Sequence, residues 1–341
     1  MPAVSAFCTL FDSRYFSRGI AMCESLLRHA PEARIYLFAF DDLCRDAARA
    51  LGMRNVTVIP LEELEDEALR AAKANRGWVE YMWTCTPATI RHVLQRYGEP
   101  LCTYVDADIY FYAPPAVLLE ELAGHDVMIT EHRYTPAHDQ SATSGIYNVQ
   151  FMPFRGSPGG RAVLDWWLSA CLDSCELNPA EGKCGDQKYL DDWPSRFAGV
   201  HVLRHLGGGV APWNVQQYRF RRAADRVLGT EIATGKAFDL VFYHFHAFKL
   251  TEQRNVQLTS LGYPLGADAV DLIYRPYVRE LLRAGERVRA LGMGFDPHGA
   301  LAEAKPRLRQ RMGILKRRLL APWRQGGPGA NANRIYHASE L

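Results

Sequence analysis

Three short apolar segments near the N-terminus decide the fold that this sequence predicts: VSAFCTL (Val4–Leu10), RIYLFAF (Arg34–Phe40) and VTVIP (Val56–Pro60). Each is bounded by polar residues, which is the pattern of a buried strand. Two predicted helices lie between them. One is Phe16–His29, whose apolar residues share one face, and the other is shorter, begins at an Asp-Asp cap and ends at Leu51. Strands that alternate with helices indicate a parallel sheet with crossover helices, so we predict an α/β fold.

The composition is that of a soluble globular protein. Of the 341 residues, 48% are hydrophobic and 23% are charged, and no apolar run is long enough to span a membrane. The N-terminus has no basic region ahead of an apolar core, so it does not predict a signal peptide. Because eight cysteines occur without an export signal, we expect reduced thiols and a cytoplasmic protein.

The C-terminal part of the chain is basic. Residues 305–341 contain nine Lys or Arg and one acidic residue, whereas the net charge of the whole chain is only +2. Within Lys305–Arg324, apolar residues recur at helical spacing between basic ones, which predicts an amphipathic helix on an anionic membrane surface. The alternative is a helix packed on the body with a solvated basic face. The remaining residues are mildly acidic, so we expect no nucleic-acid binding.

A pair of carboxylates interrupts one of the most apolar segments, LCTYVDADIYFY (Leu101–Tyr112). At strand spacing, Asp106 and Asp108 project to the same side. Buried carboxylates are costly unless they are paired, hydrogen-bonded or bound to a metal, and two of them at a strand end can share one hard cation. The alternative is a polar strand end followed by a turn.

A late apolar segment, Phe238–Phe248, predicts a strand that carries His244 and His246 and is followed by Lys249. A single core histidine is usually just a hydrogen-bonding group, but two at strand spacing are less common. Imidazole joins carboxylates as a ligand of Mn²⁺, and a lysine neutralises phosphate. This segment is therefore a candidate second half of a metal and phosphate site.

Two other polar positions have a structural alternative. Gly145 opens a predicted strand, Ser144–Phe151, where a glycine either lets the backbone approach a ligand closely or simply forms a bend. Asp186 lies in the polar segment Gly185–Trp193 and fits a helix N-cap as well as it fits a site residue.

Taken in order, these motifs resemble those of nucleotide-sugar-dependent glycosyltransferases of the GT-A fold, nearest to glycosyltransferase family 8. The matching residues span roughly Val4–Lys249 and are Asp12-Ser13-Arg14-Tyr15 after Thr9, Lys73 and Arg76, Tyr104-Val105-Asp106-Ala107-Asp108, Ser144-Gly145-Ile146, Asp186-Gln187-Lys188, and His244-Phe245-His246-Ala247-Phe248-Lys249. The sequence departs from the family in three motifs. Thr143 replaces the leading Asn of the glycine motif, Lys188 replaces the second Asp of the Asp-Gln-Asp element, and the last motif lacks the family's Gly and Pro-Trp.

The resemblance implies a Mn²⁺ or Mg²⁺ ion held by Asp106, Asp108 and one histidine, with His244 preferred over His246. Asp106 has a second possible role, which is contact with the ribose. The ion would bridge the phosphates of the donor, and Lys249 would offset the charge that grows on the leaving diphosphate.

The resemblance also implies a donor-sugar site. Contacts to the nucleotide are expected from Thr9, Asp12, Tyr15, Lys73 and Arg76. Ser144 and Gly145 are expected to line the donor site, while Asp186 and Gln187 are expected near the anomeric carbon, with Asp186 on the sugar hydroxyls.

The implied protein is a GT-A domain with a mixed, mainly parallel sheet over residues 1–265, a helical extension over 266–324, and a tail over 325–341 whose Gly, Ala and Asn predict disorder. It would transfer a sugar from a UDP-sugar, with retention, to a glycan, glycolipid or other surface polymer, in the cytoplasm and peripherally on the inner face of the membrane. Two alternatives are a nucleotidyltransferase that makes a nucleotide sugar and a non-catalytic sugar-nucleotide binder. The first needs a Gly-rich N-terminal loop, whereas Leu10–Gly19 has one glycine, and the intact Asp-x-Asp disfavours the second.

Overall fold

The computed structural model describes residues 5–178, 181–252, 254–260, 262–300 and 335–341. The strands in these ranges are β1 (Ala6–Phe11), β2 (Arg34–Ala39), β3 (Val56–Pro60), β4 (Leu101–Val105), β5 (Ile109–Phe111), β6 (Val127–Glu131), β7 (Tyr147–Asn148), β8 (Phe151–Arg155), β9 (Leu177–Asn178), β10 (Lys183–Cys184), β11 (Val200–Val202), β12 (Tyr218–Ala223), β13 (Arg226–Glu231), β14 (Ala237–Asp239), β15 (Phe242–His244), β16 (Lys249–Leu250), β17 (Asn255–Gln257) and β18 (Ile335–His337). The α-helices are α1 (Phe16–His29), α2 (Asp42–Leu51), α3 (Leu61–Leu64), α4 (Glu67–Ala74), α5 (Trp78–Arg96), α6 (Ala116–Glu120), α7 (Ser141–Ser144), α8 (Pro158–Asp173), α9 (Trp193–Arg196), α10 (Ala267–Ala269) and α11 (Arg275–Ala290).

The central sheet is arranged around β1. Its strand order is β11–β6–β8–β4–β1–β2–β3, and β7 pairs with β6 off this path. Strands β1 to β4 are parallel where they pair, as are β11 and β6, whereas β8 is antiparallel to both β4 and β6. The predicted α/β fold with a mixed, mainly parallel sheet is therefore confirmed.

The order of the strands reverses at β1, because β2 and β3 extend to one side of it and β4 lies on the other. The carboxyl ends of β1 and β4 consequently lie side by side. Open α/β sheets bind ligands at such a switch point, beyond the carboxyl ends of the strands. The residues that follow these strands, beginning with Asp12 and Asp106, therefore lie at the edge where a ligand is expected.

Local sequence signals explain the first helices. Asp41 caps α2 as predicted, since its side chain accepts a hydrogen bond from the N–H of Cys44 at 2.7 Å. Gly52 ends the same helix in the left-handed region, at a φ of 56°. The charged segment after β3 forms two helices, α3 and α4. The break arises because Asp66 caps α4 by accepting from the N–H of Leu69.

The Asp-x-Asp segment is a turn between two strands and is not itself part of a strand. Strand β4 ends at Val105, and Asp106-Ala107-Asp108 form a turn in which the N–H of Ile109 donates to the carbonyl of Asp106 at 3.2 Å. The chain resumes as β5, which leaves the central sheet and pairs with β15 in an antiparallel ribbon. The two carboxylates thus converge because the backbone turns, and the expectation that strand spacing aligns them is wrong.

Two other predicted strands are also interrupted. Phe238–Phe248 divides into β14, β15 and the start of the turn before β16, with Ala247 at a φ of 59°. His244 therefore ends a strand while His246 lies in a turn. Ser144–Phe151 divides into β7 and β8, with Gln150 in the gap between them. In the second case a buried polar residue, Gln150, stands where the ladder is broken.

The C-terminal helical region shares a core with the body. The predicted helix is present, although a π-helical turn at Val270–Tyr274 precedes α11. Buried aromatic side chains of this region pack against the ribbon that carries His244, and Tyr277 stacks on Phe245 with 3.6 Å between ring centroids. Such aromatic pairs contribute about 0.5–1.5 kcal/mol beyond the area they bury. Helix α11 also packs on α1, where Arg287 forms an ion pair with Glu24.

The end of the chain is ordered, so the predicted disorder of 325–341 is wrong for its last seven residues. Strand β18 pairs antiparallel with β17, and Tyr336 and Leu341 are buried. Arg275 donates to the backbone carbonyls of Glu340 and Leu341. The prediction failed because glycine-rich composition upstream hid a short strand with a buried aromatic residue. The basic segment Lys305–Arg324 and the first part of the tail lie outside the described residues.

No helix in the described part of the chain is both long enough and apolar enough to cross a membrane. All eight cysteines are free thiols, and seven of them are buried.

Candidate active site

The candidate site forms where β4 ends and the β5–β15 ribbon begins. Register in the ribbon places His244 opposite Ile109, one residue beyond the Asp106–Asp108 turn. The N–H of Phe245 donates to the carbonyl of Asp108 at 2.9 Å, which fixes the histidine next to the turn. Backbone hydrogen bonds thus hold His244 next to the Asp106–Asp108 turn, although the two are far apart in the sequence.

Asp106, Asp108 and His244 form a compact group of candidate metal ligands. The Nε2 atom of His244 lies 3.2 Å from Oδ1 of Asp108 and 3.9 Å from Oδ2 of Asp106, and one ligand atom from each residue lies within 4.8 Å of the others. The carboxylate side chains remain 25% and 15% exposed, so the group is open on one side. Two carboxylates and one imidazole are a donor set that suits Mn²⁺, and the carboxylates also suit Mg²⁺. The residues present therefore fit the ion that the resemblance implies.

Electrostatics of this group also favour a cation. Burial, together with repulsion from Asp108, raises the pKa of Asp106 to about 6, although His244 opposes this rise. Burial acts in the same direction on Asp108, but the charge and hydrogen bond of His244 hold the pKa of Asp108 below its usual value. In turn, Asp108 raises the pKa of His244 against the effect of burial. The same two carboxylates that raise the pKa of His244 lie where a metal ion would bind, so a proton on the ring and a metal ion would compete for this place.

The two histidines differ in their position relative to the carboxylates. His246 is exposed in the turn after β15 and contacts the edge of Trp213, with 5.5 Å between ring centroids. Among the described residues, it does not belong to the group of candidate ligands. The structure therefore brings His244, and not His246, to the two carboxylates.

Asp186 lies deep beside this group. It is 6% exposed, and its side chain is hydrogen-bonded to Thr86. Burial and the nearby charge of Asp106 raise the pKa of Asp186 to about 8. The alternative role as a helix N-cap is wrong, since the short 3₁₀ helix that follows has Gln187 at its cap and no side-chain cap hydrogen bond.

Besides a contact of its Nε2 with Sγ of Cys184 at 3.4 Å, Gln187 makes two further hydrogen bonds. Its Nε2 donates to the carbonyl of Ser144 at 2.6 Å, and its Oε1 accepts from Nδ2 of Asn148 at 3.0 Å. Gly145 beside it has a φ of 99°, which side chains disfavour, and the next N–H, that of Ile146, donates to Asp191. The bend at Gly145 thus requires glycine. Ser144 holds Gln187 through its own backbone carbonyl.

Asn148 and Gln150 are site residues that the sequence analysis missed. The Nδ1 atom of His244 lies 3.1 Å from Oε1 of Gln150, and the backbone carbonyl of Gln150 accepts from the N–H of Asp106. The N–H of Gln150 in turn donates to Oδ1 of Asn148 at 3.0 Å. Two buried amides in an otherwise apolar segment were a signal that was available in the sequence.

The residues within and just after β1 that were predicted to contact the nucleotide differ in burial and in hydrogen bonding. Thr9 is fully buried within β1, and its Oγ1 has no hydrogen-bond partner within the described part of the chain. Asp12 caps the short 3₁₀ helix that follows and accepts from Nε1 of Trp78 at 3.1 Å, so its carboxylate is engaged within the protein. Tyr15 is 42% exposed and is open to a ligand.

The basic residues that were predicted to contact the donor differ in whether they are engaged within the protein. Lys73 forms an ion pair with Glu65 at 2.7 Å. Arg76 donates to Oγ1 of Thr84 and to the carbonyls of Cys171 and Leu172, which ties α5 to α8. Nucleotide contacts for both residues stay predictions. Lys249 is exposed on β16.

A buried cation, Arg18, contacts Phe248, the residue before Lys249, and was also missed. It is 5% exposed and donates to the carbonyls of His298 at 2.8 Å and Phe248 at 3.3 Å. Its guanidinium stacks over the ring of Tyr15 at 4.5 Å. Its charge also contributes to lowering the pKa of Asp108. Arg18 thus joins the two segments that the sequence assigned to the nucleotide and to the diphosphate.

The chain is similar to known proteins, to some in sequence and to others in structure. No protein-family model matches the sequence. The uncharacterized protein YfnD of Bacillus subtilis (strain 168) is 27% identical over 305 residues, which cover 87% of this chain and 96% of YfnD. The galactosyltransferase LgtC, solved in complex with donor and acceptor sugar analogs, is similar with a TM-score of 0.49 and 12% identity over 82% of this chain and 95% of LgtC. Mouse xyloside xylosyltransferase 1 is similar with a TM-score of 0.44 and 15% identity over 71% of this chain and 97% of that protein. Both of these solved structures are glycosyltransferases.

Proposed function

We propose that this chain is a metal-dependent glycosyltransferase that moves a sugar from a nucleoside-diphosphate sugar, and specifically a UDP-sugar, to a glycan or glycolipid acceptor. The observation that carries the proposal is the group of Asp106, Asp108 and His244 at the switch point of the sheet. An Asp-x-Asp turn at this edge suits a diphosphate, because the metal ion it would hold neutralises phosphate oxygens and acts as a Lewis acid when bound.

The residues around the group supply the other charges that a departing diphosphate needs. Lys249 is exposed five residues after His244 and offers a positive charge to the phosphates. Arg18, which donates to the carbonyl of Phe248, adds fixed positive charge in a buried place, where electrostatic effects are strong. Their shared role is to stabilise the negative charge that develops as the glycosidic bond of the donor breaks.

Asp186 and Gln187 suit the donor sugar. With a pKa of about 8, the carboxyl of Asp186 is protonated at neutral pH, and so it is able to donate a hydrogen bond to a sugar oxygen. Gln187 is oriented by Asn148 and Ser144, and presents a neutral amide near the same region. A neutral amide is a poor general base, which agrees with transfer that retains the anomeric configuration.

The nucleoside is assigned to β1 and to the segment that follows it. Thr9 offers a buried hydroxyl without a partner in the described structure, and Tyr15 offers an exposed ring. Asp12 shapes this segment by capping the short helix that carries Tyr15. Lys73 and Arg76 complete the proposed contacts.

The acceptor and the location of the enzyme rest on the basic segment Lys305–Arg324. Its composition suits an anionic membrane surface, with about 1 kcal/mol of attraction for each basic residue near the surface. An enzyme held at the inner face of the membrane would reach a glycolipid or another precursor of a surface polymer.

The proposal is tested by incubating the full chain with a panel of UDP-sugars, with and without Mn²⁺. Metal-dependent release of UDP and free sugar, in the absence of an acceptor, is the expected result. Release of pyrophosphate from a nucleoside triphosphate and a sugar phosphate would identify a nucleotidyltransferase instead. Binding of a UDP-sugar without any turnover, even with a library of glycan acceptors, would identify a non-catalytic binder.

A further inference from the structure

Gln150 contacts two of the three candidate metal ligands in different ways. Its backbone carbonyl accepts from the N–H of Asp106 at 3.1 Å, and its Oε1 lies 3.1 Å from Nδ1 of His244. The residue is fully buried, at 0% exposure, in the gap between β7 and β8. It therefore contacts the group of candidate metal ligands from its buried side and does not reach the side that is open to solvent.

The side-chain contact constrains the proton on the imidazole. An amide oxygen only accepts hydrogen bonds, so a ring nitrogen facing Oε1 of Gln150 must carry a hydrogen. A neutral His244 that donates from Nδ1 has its lone pair on Nε2, and Nε2 is the atom that faces Asp106 and Asp108. A histidine that binds a metal usually has its tautomer set by a hydrogen bond from its other nitrogen.

We propose that Gln150 is a positioning residue that selects the Nδ1–H tautomer of His244 and, through its backbone, sets the turn that carries Asp106. This inference rests on the proposed metal centre. Without the acceptor at Gln150, the neutral ring would instead place its hydrogen on Nε2, where Oδ1 of Asp108 lies 3.2 Å away and accepts it. The lone pair would then point away from the metal.

The same segment links the metal group to Gln187. The N–H of Gln150 donates to Oδ1 of Asn148, and Nδ2 of Asn148 donates to Oε1 of Gln187. Asn148 also lies 3.1 Å from Nε2 of His132, which accepts its second N–H. One short stretch between two strands thus holds the candidate metal ligands and the candidate sugar-facing amide in a single hydrogen-bonded chain.

The first test is the tautomer itself. Long-range ¹H–¹⁵N correlation spectra of metal-free protein, labelled at histidine and recorded where the ring is neutral, report which nitrogen carries the hydrogen. His244 is assigned from the signal lost in His244→Asn. We expect the hydrogen on Nδ1 in the wild type and on Nε2 in Gln150→Leu. A hydrogen on Nε2 in the wild type would overturn the proposal, whatever the variant does.

The second test is Mn²⁺ affinity, measured by calorimetry without any substrate. Loss of such supporting hydrogen bonds typically weakens metal binding by about 10–100-fold, and we expect this for Gln150→Leu. Gln150→Glu keeps an acceptor oxygen at the same place and should keep wild-type affinity or exceed it. Gln216→Leu is the matched control, because it loses two partly buried amide hydrogen bonds, to the carbonyls of Pro212 and Pro264, which are not candidate metal ligands.

The outcomes separate this inference from the proposed function. A wild type that binds no Mn²⁺ would contradict the metal centre itself. A wild type that binds Mn²⁺ while a folded Gln150→Leu binds it equally well would contradict only the role of Gln150. If Gln150→Leu does not fold, the wild-type tautomer and the affinity of Gln150→Glu still decide the matter, since a large loss of affinity with an acceptor retained is contrary to the proposal.

Discussion

His244 lies with its Nε2 atom 3.2 Å from Oδ1 of Asp108, and the two residues are held there by the pairing of β15 with β5. This contact joins a strand late in the chain to a turn near its middle. When His244 is protonated this contact is an ion pair, and a divalent ion would take the place of the proton with both residues as its ligands. Most of the expected behaviour of the site follows from this exchange of a proton for a metal ion.

Replacing Asp108 by Asn should abolish most donor turnover. The amide removes one of the two negative charges that hold the ion but keeps the size of the side chain. We expect a loss of at least about 10²–10³-fold in metal-dependent hydrolysis of the best UDP-sugar, the range seen when a key electrostatic group is removed. Asp173→Asn, an exposed change on α8, is the matched control. Full activity of Asp108→Asn in chelator-treated buffer would refute the metal assignment.

Affinity for Mn²⁺ should weaken as the pH falls. Although burial lowers it, Asp108 raises the pKa of His244 above its ordinary value, and burial raises the pKa of Asp106 to about 6. Protons therefore compete with the ion as the pH drops towards and below 6.5, by about tenfold per pH unit for each proton displaced. Calorimetric titrations from pH 8.5 to pH 5.5 measure this. Affinity that is constant over the range would show that neither group is displaced by the ion.

Asp186 should make the stability of the protein depend on pH. Its pKa of about 8, raised by burial and by Asp106, exceeds the value of about 3.9 in an unfolded chain. Between these values the native state binds a proton that the unfolded state has lost, so the free energy of unfolding falls as the pH rises. Asp186→Asn removes this effect, and we expect it to gain stability relative to the wild type between pH 4 and pH 8.

Urea unfolding in chelator, followed by circular dichroism, measures the Asp186 effect. The difference between the two proteins should be small near pH 4 and should reach a plateau near pH 8. A difference that does not change with pH would indicate that Asp186 is ionised in the native state, contrary to its proposed role as a hydrogen-bond donor to the sugar.

Tyr336 should contribute strongly to stability even though it lies near the end of the chain. It is 6% exposed, and its strand completes a small sheet with β17. Tyr336→Ala should cost about 3–5 kcal/mol, as expected for a large aromatic side chain removed from a core. Ile335→Ala is the control, since Ile335 is 66% exposed and its truncation should change the free energy of unfolding by less than about 0.5 kcal/mol. Equal, small effects of both changes would mean that β18 does not pack as described.

Attachment to membranes should depend on charge in the basic segment. Replacing Lys316, Arg317 and Arg318 by Gln removes three positive charges without disturbing β18. We expect reduced sedimentation with vesicles that contain phosphatidylserine, and no binding of either protein to purely zwitterionic vesicles. Wild-type sedimentation of the triple variant would contradict the membrane proposal. Truncation is a poorer test, because it also removes the buried Tyr336 and Leu341.

The sequence by itself determined the framework of the fold. Helix α1 and strand β3 have the predicted bounds, and the Asp41 cap is where the sequence places it, because capping and apolar periodicity act over a few residues. Asp106 and Asp108 were found in the same way, as charges in an apolar segment. Each of these features depends on neighbours in the chain, which a sequence displays directly.

Only the tertiary structure decided how the site is assembled. The turn at Asp106–Asp108, the preference for His244 over His246, and the contact of Gln150 with the metal group depend on the pairing of strands that are distant in sequence. The roles of Asp12 and Arg76 within the protein also depend on partners from other helices. Hydrogen bonds of this kind join residues that are distant in the chain, so no local pattern specifies them.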